Sequence, residues 1–226
     1  MKKGIIIGII CLVVLIIGGL LLRPHYTEDE INFKKEYEKF NNKKTAEGKK
    51  YLNVDIIKDN NIKYKTAEEV IKSLQNDTAV IYFGFPECPW CRNLVTVLLE
   101  ATKEKKYSNI YYANILSIRD QKHLDEEGNI VVDKEGTEEY KKIVEILGNN
   151  LGEYEGLNDP SIKRLYFPTV VFVSAGEVKA VHIGTVDSQK DPYIKLDKKQ
   201  HDELLKIFKQ NIELIESKTC SGVNKC

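Results

Sequence analysis

Hydrophobic and polar positions alternate along this chain in recognisably different rhythms. From Gly4 to Leu22 no charged residue occurs. A helix rising about 1.5 Å per residue nearly crosses a hydrocarbon core of roughly 30 Å in that length. Phe33, Tyr37 and Phe40 recur at helical spacing behind Thr27 and Glu30, which read as a capping box. This predicts a short amphipathic helix over 28–40 that packs on the domain through its aromatic stripe. Leu52, Val54 and Ile56 alternate as a strand does. Thr66 with Glu69 opens a second helix reaching about Asn76, with Val70, Ile71 and Leu74 inward. Ala79 to Phe83 reads as a buried strand, Pro89 to Lys105 as a helix, and Ile110 to Ile115 as another strand. The order β-α-β-α-β implies an α/β fold with a central sheet and helices on its faces.

Residues 117–165 are polar and longer than a simple crossover needs, so they read as an insertion. Gly128-Asn129 signals a turn, Glu138 to Leu147 has helical periodicity, and Gly148 stops that helix. Thr169 to Val173 and Val178 to Ile183 flank Ser174-Ala175-Gly176-Glu177 and predict a hairpin. Leu204, Ile207, Phe208, Ile212 and Ile215 mark a last amphipathic helix over 198–216, followed by a polar tail.

Charge refines the amino-terminal reading. Lys2 and Lys3 precede the apolar run, and Arg23 and His25 follow it. This bias favours a cytoplasmic amino terminus and an exported body. The expectation is a single-pass, membrane-anchored protein: residues 1–3 as a cytoplasmic stub, 4–22 as the anchor, and 23–50 as a linker carrying the amphipathic helix. A domain over 51–217 and a cysteine-containing tail over 218–226 follow. A cleaved signal peptide is the competing reading, disfavoured by the length of the run and the lack of a small-x-small site after it. Ile9 and Ile10 before Cys11 argue against lipidation. The chain of 226 residues balances 34 basic against 34 acidic residues. Without Lys2, Lys3 and Arg23 it is mildly acidic, which excludes a polybasic nucleic-acid footprint.

Five cysteines are too few for a disulfide-dense scaffold, so their placement matters more than their number. Cys88-Pro89-Trp90-Cys91 directly follows a predicted strand and opens a predicted helix. A C-x-x-C pair holds a metal, forms a structural disulfide, or cycles between dithiol and disulfide. Structural zinc wants four ligands; the body has no second such pair, and His123, His182 and His201 are scattered. No metal or cofactor is therefore expected. At a helix amino terminus, unpaired N–H groups and the dipole stabilise a thiolate and lower a thiol pKa from about 8.5 to about 3.5–7.5. Pro89 suits the first turn, where its missing N–H is not needed. Cys88 is thus the expected nucleophile. Cys91, one turn deeper, is the expected resolving thiol. Trp90 either shapes a substrate surface or covers the helix end. Cys220 and Cys226 most readily close a local structural disulfide, with a shuttle to Cys88 or free thiols as alternatives. His182 and His201 read as structural or solvated.

The segment VIYFGFPECPWCRNL resembles the strand, active-site and helix unit of the thioredoxin superfamily, and YFPTVVFVSAGEVKAVHIG resembles the second half of that fold. The similarity covers about 78–116 and 165–186. It implies a thioredoxin-like three-layer fold with a mixed sheet and a helical insertion before the strand at Thr169. It implies that Pro168 is a cis-proline beside a Cys88-Cys91 redox disulfide, and that Phe167, Thr169 and Trp90 meet substrate. Membrane-anchored thioredoxin-like proteins of Gram-positive bacteria, including those called bacteriocin transport accessory proteins, are similar in arrangement. The implied activity is thiol-disulfide exchange with exported protein thiols and disulfides, served by an unidentified redox partner. A non-catalytic accessory module is the other reading. The sequence departs from the family in three ways. Tyr82 stands where thioredoxins carry a buried acid, the dipeptide between the cysteines is Pro-Trp, and the insertion is extra.

Overall fold

The computed structural model describes residues 26–216. The predicted anchor with Cys11, and the tail with Cys220 and Cys226, lie outside them. Among the described residues no helix is long and apolar enough to cross a membrane.

Helix α1 (Glu28–Glu38) begins at Thr27, whose hydroxyl accepts from the Glu30 amide while the Glu30 carboxylate accepts from the Thr27 amide. Strand β1 (Ile62–Tyr64), helix α2 (Ala67–Asn76, with the expected Thr66/Glu69 box), strand β2 (Ala79–Phe83), helix α3 (Pro89–Glu104) and strand β3 (Ile110–Ala113) follow. The insertion holds a hairpin, β4 (Gln121–Leu124) with β5 (Ile130–Lys134), then helix α4 (Glu138–Leu147) and a short pair, β6 (Gly152–Glu153) with β7 (Lys163–Arg164). The hairpin β8 (Thr169–Ser174) and β9 (Glu177–Ile183) and helix α5 (Lys198–Glu216) complete the order.

The result is a mixed α/β fold with a central mixed sheet. Its strand order is β1-β3-β2-β8-β9, parallel among β1, β3 and β2, and antiparallel from β2 through β8 to β9. Residues alternate across it, as the two-residue period of a strand demands. Val80, Tyr82, Ile110, Tyr112, Val170 and Phe172 face a core built with α1, α3 and α5. Ala79, Ile81, Phe83, Val171 and Val173 face a second core built with α2 and α4. Both faces of β2 are covered, which explains its unbroken apolar run.

One expectation is met and one changes. Helix α1 packs on the domain through its aromatic stripe. Phe33 and Tyr37 are fully buried in the first core, each ring contributing roughly 1.5–3 kcal/mol relative to exposure. The alternation at Leu52, Val54 and Ile56 does not make a strand; the first strand is β1. Val54 and Ile56 are buried as expected, but side chains rather than a neighbouring strand satisfy their backbone. Asn41 brackets Val54 with two hydrogen bonds of 2.7 and 2.9 Å, and the Ile56 amide donates to Glu38.

The β8–β9 turn is tighter than the sequence suggests. Only Ala175 and Gly176 lie between the paired Ser174 and Glu177, both at positive φ, as a primed hairpin turn requires. The Gly176 amide donates to Asp77 O at 2.9 Å, and a Cβ there would stand 2.0 Å from Gln75 O. Glycine is therefore needed both for the turn and for the close approach to the end of α2.

Candidate functional site

Strand β2 delivers the chain to the site. Beyond Phe83, Gly84 to Glu87 turn toward α3, and Cys88 caps that helix. The Cys88 Sγ accepts the Cys91 backbone N–H at 3.2 Å, and Pro89 occupies the first helical turn. Both cysteines are free thiols. Cys88 is 5 % exposed and Cys91 not at all, so only Cys88 offers an incoming sulfur an approach. The peptide bond between Phe167 and Pro168 is cis. The Phe167 carbonyl oxygen lies 3.8 Å from Cys88 Sγ, so two segments 79 residues apart in sequence meet at the reactive sulfur.

The two thiols are driven in opposite directions. Burial alone raises the Cys88 pKa, but hydrogen bonds from the Cys91 side chain and from the Cys91 and Trp90 amides outweigh it. The Arg119 charge adds to them, and the net value lies below the ordinary thiol range. Burial holds Cys91 far above that range, and its neighbour Cys88 reinforces the effect. The arrangement therefore presents one approachable sulfur whose thiolate is favoured, backed by one enclosed sulfur held as the thiol.

The rim around Cys88 combines aromatic rings with one cation. Phe85 packs edge-on against Phe167 with centroids 5.4 Å apart, and the Arg119 guanidinium lies 5.0 Å from the Phe167 centroid. Trp90 is partly exposed on the first turn of α3. Thr169, expected to meet substrate, is fully buried; its hydroxyl donates to Tyr166 O at 2.7 Å. It shapes the backbone around Pro168 rather than the surface. Glu87 is exposed. His182 bonds the Thr185 carbonyl at 2.8 Å and His201 pairs with Glu100 at 3.0 Å, both structural contacts.

Three participants escaped the sequence reading. Arg119 comes from the insertion, where no periodic pattern marks it. Tyr37 stood out only as part of an aromatic stripe. Arg92, next to Cys91, is 1 % exposed and meets no carboxylate. Its Nε donates to Leu52 O, Nη1 to Tyr37 O and Pro86 O, and Nη2 to Asn41 Oδ1, at 2.7–3.0 Å. It thereby clamps α1 and the 52–56 segment to the active-site turn.

Removing the Arg119 charge is expected to raise the Cys88 pKa. In Arg119→Leu the thiolate fraction near pH 7 then falls, and alkylation of Cys88 slows about three- to tenfold there. The rate regains the wild-type value at high pH, where Cys88 is ionised in both proteins. Iodoacetamide labelling of Cys88 across pH measures this, and superimposable profiles would remove Arg119 from the site.

No protein-family model, curated protein or solved structure matches the chain.

Proposed function

We propose that the chain is a thioredoxin-like thiol-disulfide oxidoreductase that exchanges disulfides with exported proteins while tethered to the cell membrane by residues 4–22. The observation that carries this reading is the pairing at the start of α3. A thiol with lowered pKa caps the helix beside the Phe167 carbonyl of a cis X-Pro bond, and a second, fully buried thiol stands at the next turn. A structural disulfide gains nothing from an ionised, approachable partner, whereas exchange chemistry depends on one. The resemblance of the 80–94 and 166–184 segments to the thioredoxin superfamily, and the sheet order with its covered faces, support the same assignment.

In this mechanism the Cys88 thiolate attacks one sulfur of a substrate disulfide. A Cys88–substrate bond forms, and the substrate's other sulfur leaves with the electron pair and takes up a proton. Cys91 then displaces the remaining substrate sulfur and closes the Cys88–Cys91 disulfide. The protein is oxidised by two electrons and the substrate disulfide reduced by two. In the opposite direction a substrate thiolate attacks Cys88 of the oxidised pair and Cys91 leaves. Phe85, Phe167 and partly exposed Trp90 offer an extended polypeptide an apolar rim.

The test is exchange by the full chain in both directions, with a disulfide protein plus a thiol reductant and with a reduced protein plus an oxidant. Activity in at least one direction that disappears in Cys88→Ser is the expected result; no Cys88-dependent exchange in either direction overturns the reading. The accessory-module reading has its own observation. Ile130, Val131 and Val132 are exposed side by side on β5. It requires that partner binding survive Cys88→Ser and fail when these three become polar.

A further inference from the structure

Arg119 reaches the rim of the site from the insertion. A short 3-10 turn, Leu116–Ile118, follows β3, and the Thr137 amide pins its end by donating to Ile118 O at 3.1 Å. Arg119 then takes an extended backbone, and its guanidinium lies 5.0 Å from the Phe167 ring centroid. Phe85, from the active-site turn, packs edge-on against the same ring. The Phe167 carbonyl oxygen in turn lies 3.8 Å from Cys88 Sγ. One residue therefore joins the cation to the reactive sulfur.

The hydrogen-bonding capacity of this guanidinium is unspent. Arginine carries five N–H donors. Among the described residues the Arg119 side chain donates to none and forms no ion pair. Arg164 on β7 repeats the pattern. Its guanidinium lies 4.1 Å from the Tyr154 centroid, its Nη2 reaches the carbonyl of Asp120, next to Arg119, at only 3.4 Å, and its buried Nε has no partner. The ring beneath it is fixed, because the Tyr154 oxygen accepts the Lys122 amide at 2.7 Å. The acids of this region do not neutralise the two arginines. Asp120 is buried and pairs with Lys122 at 3.1 Å, and Glu87, exposed on the turn before Cys88, pairs with neither. Burial first, then the Arg164 charge, pulls the Arg119 pKa below the ordinary guanidinium value, yet Arg119 stays charged at any physiological pH. Two half-buried guanidinium groups without a carboxylate partner are costly to hold, and an incoming carboxylate offsets that cost.

We propose that Arg119, aided by Arg164, is a specificity-determining residue that binds a carboxylate of the substrate polypeptide, so that the protein prefers cysteines flanked by aspartate or glutamate. The proposal deepens the exchange reading above and rests on it. An extended chain advances about 3.3 Å per residue, which places the acidic side chain about one to three residues from the substrate cysteine. The bonds made and broken are those of the exchange step already described. The arginines act on which substrate reaches Cys88.

The test uses the full chain with Cys11, Cys91, Cys220 and Cys226 replaced by serine, so that only Cys88 reacts. The substrates are N-acetylated, C-amidated cysteine peptides activated as 2-thiopyridyl disulfides. They carry aspartate, asparagine or lysine at the second position on either side of the cysteine. Cys88 attacks the peptide sulfur and the Cys88–peptide bond forms. Thiopyridine leaves with the electron pair, takes up a proton and is followed by its absorbance. Each rate is divided by that of the same peptide with 2-mercaptoethanol, which removes the peptide's own reactivity. The aspartate peptides are expected to react about three- to tenfold faster than the asparagine peptides, and the lysine peptides to be slower by a similar factor. Salt at about 1 M, where the Debye length is about 3 Å, is expected to compress these ratios. In Arg119→Leu every rate falls near neutrality with the Cys88 thiolate fraction, but the aspartate-to-asparagine ratio is expected to drop below about twofold. Arg119→Lys, which keeps the charge without the planar fork, is expected to retain part of the preference. Equal rates for the three peptides in the parent protein overturn the proposal, as does a ratio undiminished in Arg119→Leu. If Arg119→Leu does not fold, Arg164→Gln decides by the same ratio, expected to fall about twofold. Absence of Cys88-dependent release from every peptide would instead overturn the exchange reading and this proposal with it.

Discussion

A Cys91→Ser chain is expected to stop turning over while capturing its substrates. Cys88 keeps its position at the helix cap, and the Cys91 and Trp90 amides that hold its charge are backbone groups that the substitution leaves in place. The first displacement therefore proceeds. The serine hydroxyl cannot displace a sulfur, so the mixed disulfide at Cys88 persists and turnover falls roughly a thousandfold or more. Cys88→Ser is equally inactive but captures nothing, because Cys91 is fully enclosed. Non-reducing electrophoresis of the two variants distinguishes these outcomes. Capture by Cys88→Ser in place of Cys91→Ser would reverse the assigned roles. Turnover that survives in Cys91→Ser and disappears on adding Cys226→Ser would make the tail the resolving element.

The second large effect is expected at Arg92. Its guanidinium spends its hydrogen bonds on three backbone carbonyls and one amide oxygen and forms no ion pair; the Tyr51 ring lies 5.7 Å from it. Burial pulls its pKa below the ordinary guanidinium value, yet it remains charged at any physiological pH. Arg92→Met fills much of the volume but takes the guanidinium donors from the Leu52 and Pro86 carbonyls, while Tyr37 O keeps the Phe40 amide and Asn41 Oδ1 the Val54 amide. The expected loss is about 3–5 kcal/mol of unfolding free energy, read from urea denaturation. Arg92→Lys is expected to recover only a part, since one ammonium cannot span Leu52, Tyr37, Pro86 and Asn41 together. A loss below about 1 kcal/mol for Arg92→Met would show that the contacts of α1 and the 52–56 segment do not depend on this clamp.

Local patterns in the chain proved sufficient for much of the fold. Capping boxes at Thr27 and Thr66, proline at the first turn of α3, and the Gly148 stop mark helix ends through contacts within a few residues. They therefore appear in the structure close to where the sequence predicts them. The alternation at 52–56 misled because burial and strand pairing are separate properties. Val54 and Ile56 enter the core as their hydrophobicity requires, but whether a strand lies beside them depends on distant parts of the chain. Thr169 departs from what the resemblance implied, because the pairing of β8 between β2 and β9 buries it.

By itself the sequence determined the helices, the strands β2, β3, β8 and β9 and the helix-capping position of Cys88 with Cys91 one turn behind, and its resemblance to the thioredoxin superfamily implied the cis bond at Pro168. Each of these depends on neighbours close along the chain or on motifs read whole. Only the tertiary structure decided which residues surround the two sulfurs. Arg119 arrives from the insertion and the Phe167 carbonyl from the segment leading into β8, 79 residues after Cys88. Long-range packing brings these groups into a space where water is excluded. There, a single guanidinium has an influence on a thiol that no local pattern in the chain encodes.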